Sequence, residues 1–291
     1  MLKEKEAKTI LNRLTRPDTW FGLTYTMNLY RGCQFQCIYC DSRSDIYNHE
    51  DFSDVEAKTN GIELLRKELS SKRNKGTIGF GSMHDPYMPI EKKLELTREG
   101  IKAIADFRFP MHLITRGDLI TRDIDVLQRA SRVYCAVSFT ITTCDEELAR
   151  KIEPGAPIPS RRLEAMKILS ENGIYVGVTF MPLLPFIEDT IENIREVVTL
   201  SARYGAKYII PAFGMTLRDG NREYFYQKLD ESFPGMRKKY EEKFGNKYSC
   251  EPENVETLYT YFYNLCDELG IDTKMKFYEE EHIEQYDLFG K

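Results

Sequence analysis

TYTMNLYRGCQFQCIYCDSR, residues 24–43, opens as a strand and runs into three cysteines. Its first part, TYTMNLY (24–30), is one of six similar runs. The others are TIGFGSM (77–83), MHLITR (111–116), VYCAVSFTI (133–141), IYVGVTFM (174–181) and KYIIPAF (207–213). Each is rich in Val, Ile, Tyr, Phe or Thr, the composition a buried parallel strand requires. Helical patterns fill the intervals. GIELLRKELSS (61–71) sets Ile62, Leu65 and Leu69 on one face, and PIEKKLELTREGIKAIADF (89–107) repeats Leu94, Ile101, Ile104 and Phe107. RRLEAMKILSENG (161–173) and TIENIREVVTLSARYG (190–205) both end on a glycine suited to a helix C-terminus. Six strand–helix units in succession predict an α/β fold with a parallel sheet and right-handed crossovers. Six are fewer than a closed barrel needs, so the expected architecture is an open, partial (β/α)6 TIM-like barrel. Such sheets carry their reactive groups at the C-terminal ends of the strands.

Residues 1–220 form the predicted core, with 1–20 as a lead-in. Residues 221–249 are dense in charge and tyrosine, and 253–269 reads as a further amphipathic helix. The stretch 221–291 is expected to be a C-terminal helical extension packed on the barrel, since about 70 residues make a marginal core alone. Its Tyr and Phe residues (224–226, 259–263) are assigned mainly to helix core, with a substrate platform as the alternative.

The chain has 291 residues, 42% hydrophobic and 30% charged, which excludes disordered and collagen-like classes. Its formal charge of −5 argues against generic, counterion-driven nucleic-acid binding. The N-terminal MLKEKEAKTILNRL lacks the apolar run of a signal peptide, and no stretch is long enough to span a bilayer. A soluble, cytoplasmic protein without membrane association is expected.

Cys33-x3-Cys37-x2-Cys40 follows the first strand directly, with Gly32 giving the loop conformational freedom. Seven cysteines, three of them crowded together in a chain without an export signal, point to metal or redox chemistry rather than disulfides. Three thiolates on one short loop can ligate three irons of a cubane cluster and leave the fourth iron open to a small molecule. A zinc site completed by His49 or a distant ligand is the alternative, as part of a non-catalytic sensor or adaptor.

This motif, with Tyr39 before its last cysteine, resembles the radical S-adenosylmethionine (SAM) signature. More specifically, NLYRGCQFQCIYCDSR (28–43), GFGSMHDPYMPIE (79–91), TRGDLITRDIDVL (115–127), SFTITTCDEELARKIEPGAPIPSRRLEAM (138–166) and GVTFMPLLPFIED (177–189) resemble the spore photoproduct lyase-like branch. The resemblance implies a 4Fe–4S cluster on Cys33, Cys37 and Cys40 with SAM on the open iron. It also implies an electron donor such as flavodoxin or ferredoxin, and reductive cleavage of SAM to a 5′-deoxyadenosyl radical that takes hydrogen from a substrate. By the same resemblance Tyr39 packs near adenine, and Gly81 and Ser82 receive the methionine amine. Ser138 and Thr140 meet ribose or carboxylate, Arg162 pairs with the carboxylate, and Met181 offers backbone bonds to adenine. The repair lyase has a hydrogen-donating cysteine after the second strand, whereas Ser82-Met83-His84-Asp85-Pro86 contains none. The substrate class stays open among nucleic acid, peptide and metabolite.

Three further residues are candidates for chemistry. Asp85 reads as a substrate or SAM-amine contact, or as a helix cap before Pro86. Tyr87 and Cys144 are hydrogen-donor candidates, Cys144 because it lies just beyond the fourth strand. Glu153-Pro154-Gly155 reads as a surface turn, with a carboxylate near ribose hydroxyls as the alternative.

Overall fold

Six parallel strands, Leu23–Met27, Thr77–Phe80, Met111–Thr115, Cys135–Thr140, Tyr175–Leu183 and Ile209–Phe213, lie side by side in chain order. The computed structural model describes residues 2–16, 18–48 and 51–280. A seventh strand, Leu11–Arg13, pairs antiparallel with the first and occupies that edge. The sheet is open, since its first and last parallel strands do not pair with each other. This is the expected partial barrel.

One face of each central strand feeds the main apolar core. Val137, Phe139, Val176, Val178 and Ile209 belong to it, all buried. Alternate residues point to the opposite face, as the period of a strand dictates. There Ala136, Tyr208 and Ile210 form a second cluster with Met275. Helices cover the core side: helix Ile191–Arg203 buries Ile194, Val197 and Val198. Each such side chain contributes about 1.5–3 kcal/mol of transfer free energy.

The predicted helix over 89–107 is two helices, Glu91–Leu94 and Leu96–Asp106. Glu95 between them adopts φ +52°, which ends the first helix. The buried Glu91 carboxylate accepts hydrogen bonds from the backbone N–H of Thr97 (3.1 Å) and Arg98 (3.3 Å) at the start of the second. A small sheet not expected from the sequence joins Leu2–Lys5, Val55–Lys58 and Tyr30–Arg31.

After residue 220 come helices Asn221–Ser232, Met236–Phe244 and Val255–Glu268. Phe225, Tyr240, Phe262 and Cys266 from these helices belong to the same buried cluster as the sheet. Tyr240 Oη donates to Pro185 O at 2.7 Å, and Phe213 N donates to Tyr259 Oη at 3.0 Å. Among the described residues no helix is long and apolar enough to cross a membrane.

Candidate active site

The cysteine loop leaves the C-terminal end of the first strand and is pinned where it starts. Cys33 N donates to Phe52 O at 3.1 Å. Gly32 sits at φ +77°, and a Cβ there would lie 2.3 Å from Asp54 O, so the position requires glycine. The thiols of Cys33, Cys37 and Cys40 line one narrow cavity of about 50 Å³, together with Phe35, Tyr39, Gly81, Ser82, His84, Asp85 and Arg116. Cys33 and Cys37 are buried, Cys40 is half-buried, and none is in a disulfide. Burial pushes the Cys33 thiol up to about 12 and raises Cys37 further. A thiolate here is costly until a cationic partner offsets its lost hydration.

The donor set suits a cluster. Three cysteines of one short loop line one cavity, and in a cubane each thiolate ligates a different iron. His84 Nδ1, in the same cavity, is buried and has no hydrogen-bond partner among the described residues. His49, the fourth donor of the zinc alternative, lies outside the described residues.

Beside this cavity opens a larger one of about 560 Å³, and Tyr39, Cys40, Ser82 and Arg116 line both. Met181 and Pro182 form one wall of the larger cavity. Met215, Thr216, Ser249, Glu251 and Tyr259 also line it and do not border the cysteine cavity.

Beneath Tyr39 sits a buried ionic network. Its hydroxyl donates to Glu153 Oε1, and Arg116 donates to the same carboxylate through Nε (2.8 Å) and to Tyr39 Oη through Nη2 (3.0 Å). Arg162 Nη1 lies 2.5 Å from Glu153 Oε2. Burial alone would raise the Glu153 carboxyl, but the Arg162 and Arg116 charges outweigh it and hold the group down at about 2. Two backbone bonds, Ile38 N to Ile152 O and Gly155 N to Phe35 O (both 2.9 Å), stitch this segment to the cysteine loop.

The predicted site residues divide accordingly. Tyr39, Ser82 and Met181 line the larger cavity, and Gly81 (φ +103°) borders the cysteine cavity. Ser138 does not reach either cavity. It sits two residues before its strand ends, fully buried, hydrogen-bonded to His112 Nε2 and Tyr208 Oη at 2.8 Å each. Thr140 is likewise spent on Thr179 Oγ1 (2.9 Å), and its carbonyl accepts from Arg162 (3.1 Å). Arg162 is 1% exposed, lines neither cavity and meets Glu153 through Nη1, while its Nη2 has no partner among the described residues. Asp85 borders the cysteine cavity, but both its oxygens are engaged, by Tyr87 N, Thr115 Oγ1 (2.7 Å) and Arg116 N (2.6 Å). It organises a turn and caps no helix. Tyr87 is buried, donates to Asp123 Oδ2 (3.0 Å) and lines neither the cysteine cavity nor the larger one. Cys144 lines no cavity described here, and burial raises its thiol to about 12. Glu153, read as a surface turn, is 2% exposed and the centre of the network.

A further buried carboxylate, Glu188, carries no signal in the sequence. Glu188, after the fifth strand, accepts from Leu184 N (3.0 Å) through Oε2, while Oε1 has no partner among the described residues. Burial raises it to about 8. Unfolded, it titrates near ~4.3. The folded state therefore holds an extra proton between these values, and the stability this gives at low pH is lost as pH rises through about 8. Glu188→Gln is expected to flatten the fall of thermal stability with rising pH over that window. An unchanged slope in calorimetric melts would refute the assignment.

Comparisons agree with this geometry. The model of the Radical SAM superfamily matches residues 27–198. An uncharacterized protein of Mycobacterium tuberculosis is 31% identical over 259 residues, covering 86% of this chain and 76% of that protein. An uncharacterized protein of Methanocaldococcus jannaschii is 36% identical over 191 residues, covering 65% and 71%. Spore photoproduct lyase complexed with dinucleoside spore photoproduct superposes with a TM-score of 0.71 at 14% identity, over 92% of this chain and 79% of that one. At that identity the likeness establishes a shared fold. The chain belongs to the radical SAM superfamily and is an enzyme whose cofactors are a 4Fe–4S cluster and S-adenosylmethionine.

Proposed function

We propose that Cys33, Cys37 and Cys40 hold the cluster and that the 560 Å³ cavity beside them receives SAM and, beyond it, the substrate. The observation that carries this reading is the shared lining of the two cavities by Tyr39, Cys40, Ser82 and Arg116. When bound, the cluster and SAM would supply, with one electron from an external reductant, reductive cleavage of SAM to a 5′-deoxyadenosyl radical for hydrogen abstraction from the substrate. The protein's part is to position and shield. Ser82 presents an exposed hydroxyl at the junction of the cavities, while Gly81 keeps the backbone there free of a side chain. Arg116 is fixed in direction by Glu153, so its charge faces both cavities without reorganising. Met215, Thr216, Ser249, Glu251 and Tyr259 line this cavity but not the cysteine cavity, and we assign them to the substrate.

Anaerobic reconstitution with iron and sulfide tests the reading. About four irons per chain with acid-labile sulfide are expected, and 5′-deoxyadenosine on adding SAM and dithionite. Zinc retention without 5′-deoxyadenosine would instead favour the adaptor alternative.

A further inference from the structure

Among the side chains around the cysteine cavity, one carries a polar atom that the protein itself leaves unused. His84 is 5% exposed, and its Nδ1 has no hydrogen-bond partner among the described residues. A buried polar nitrogen without a partner is costly, yet the turn that carries it is firmly held. Both Asp85 carboxylate oxygens are engaged within that turn, by Tyr87 N, Thr115 Oγ1 and Arg116 N. Pro86 O accepts from Thr97 Oγ1 at 2.7 Å. The Tyr30 ring meets the imidazole edge to face at 5.7 Å, and Tyr30 Oη is itself tied to Glu91. Ring and backbone are therefore fixed without any bond to Nδ1.

The place of His84 decides what it addresses. It lines the cysteine cavity with Cys33 and Cys37, and like them it does not line the larger cavity assigned to SAM. The same turn already reaches the sulfur of Cys33. Burial raises that thiol, and hydrogen bonds from the backbone N–H of Asp85 and Phe35 counteract the rise. With Asp85 engaged, the acceptors left in this cavity are sulfur atoms, those of the thiolates and of the cluster they would hold. Burial, and after it the charge of Lys58, disfavours a proton on the ring of His84. A neutral imidazole carries one N–H, which sits on the nitrogen that meets an acceptor.

We propose that His84 Nδ1–H donates to a sulfur of the cluster on Cys33, Cys37 and Cys40 and thereby sets its reduction potential. The proposal rests on the cluster reading above. Reduction adds negative charge to the cluster, so a donor to sulfur stabilises the reduced form more than the oxidised one. His84 thus makes the cluster easier to reduce and leaves SAM to other residues.

The test compares His84→Asn with His84→Leu in reconstituted protein. The two replacements have nearly the same shape, but only the amide can place an N–H where Nδ1 stands. Titration of the SAM-free protein with dithionite and mediator dyes, followed by electron paramagnetic resonance, reads the potential. His84→Leu is expected to make reduction about tenfold less favourable, a fall of ~59 mV for one electron. His84→Asn should restore most of that loss, and SAM affinity should be unchanged in both variants. Pulsed resonance on the reduced wild-type cluster, with isotopically labelled histidine, should show a weak nitrogen coupling that His84→Leu removes. An unmoved potential in His84→Leu, or a wild-type cluster with no histidine coupling, would overturn the proposal. A coupling as strong as that of a directly bound nitrogen would do the same, since His84 would then be an iron ligand. Weakened SAM binding at an unchanged potential would assign His84 to SAM instead. Wild-type protein that takes up no cluster would remove the cluster reading and this proposal together, whereas a cluster indifferent to His84 removes only the latter.

Discussion

Replacing Cys37 by Ala is expected to leave a folded protein that holds no intact cluster and forms no 5′-deoxyadenosine. Cys37 is buried at the middle of the three-thiol loop, and each thiolate has its own iron to ligate. Loss of a direct ligand should exceed the roughly 10- to 100-fold cost typical of outer-shell substitutions around metal sites. The fold should persist, because the loop is held by bonds that do not involve the thiol. These include Cys33 N to Phe52 O, Ile38 N to Ile152 O, and the contacts of Tyr39 with Glu153 and Arg116. Iron and sulfide content, visible absorption and far-UV circular dichroism after reconstitution check this together. Full iron content with retained SAM cleavage would remove Cys37 from the ligand set.

Why the sequence shows the cysteine loop plainly and the polar positions poorly follows from what a strand pattern encodes. The six parallel strands are legible because burial on both faces demands continuous apolar, β-branched and aromatic runs. Alternation within such a run reveals which face a residue takes, but not how deep along the strand it lies. Ser138 and Thr140 share one face of their strand, yet both bond to neighbouring strands and line neither cavity. Leu2–Lys5 reads as a charged lead-in because LKEK carries no strand composition, and its pairing with Val55–Lys58 is set by the tertiary fold. Glu95 carries no glycine signal, so the break in the 89–107 pattern stayed hidden. Glu153 is the sharpest case. Glu-Pro-Gly has turn composition, and the partner that draws it inward, Arg116, is 37 residues away in the chain.

Glu153→Gln should therefore destabilise the protein out of proportion to the atoms changed. The carboxylate is 2% exposed and is shared by Arg162, 1% exposed, and Arg116, whose side chain is 18% exposed. Removing its charge while keeping its size leaves a buried guanidinium uncompensated, a change that typically costs about 3–5 kcal/mol. Tyr39 also loses its charged acceptor, so the last turn of the cysteine loop should slacken and cluster retention should fall. The pH dependence has a definite sign. With a folded value of about 2 against an unfolded value near ~4.3, the carboxylate's contribution is present above the unfolded value and lost as pH falls through the folded one. Urea unfolding of the cluster-free protein at neutral pH measures the loss. The double variant Glu153→Gln/Arg162→Met should recover part of it, because the stranded charge is then gone. A loss below about 1 kcal/mol, the scale of an exposed pair, would mean that the two arginines find other counter-charges and that the network does not hold the loop.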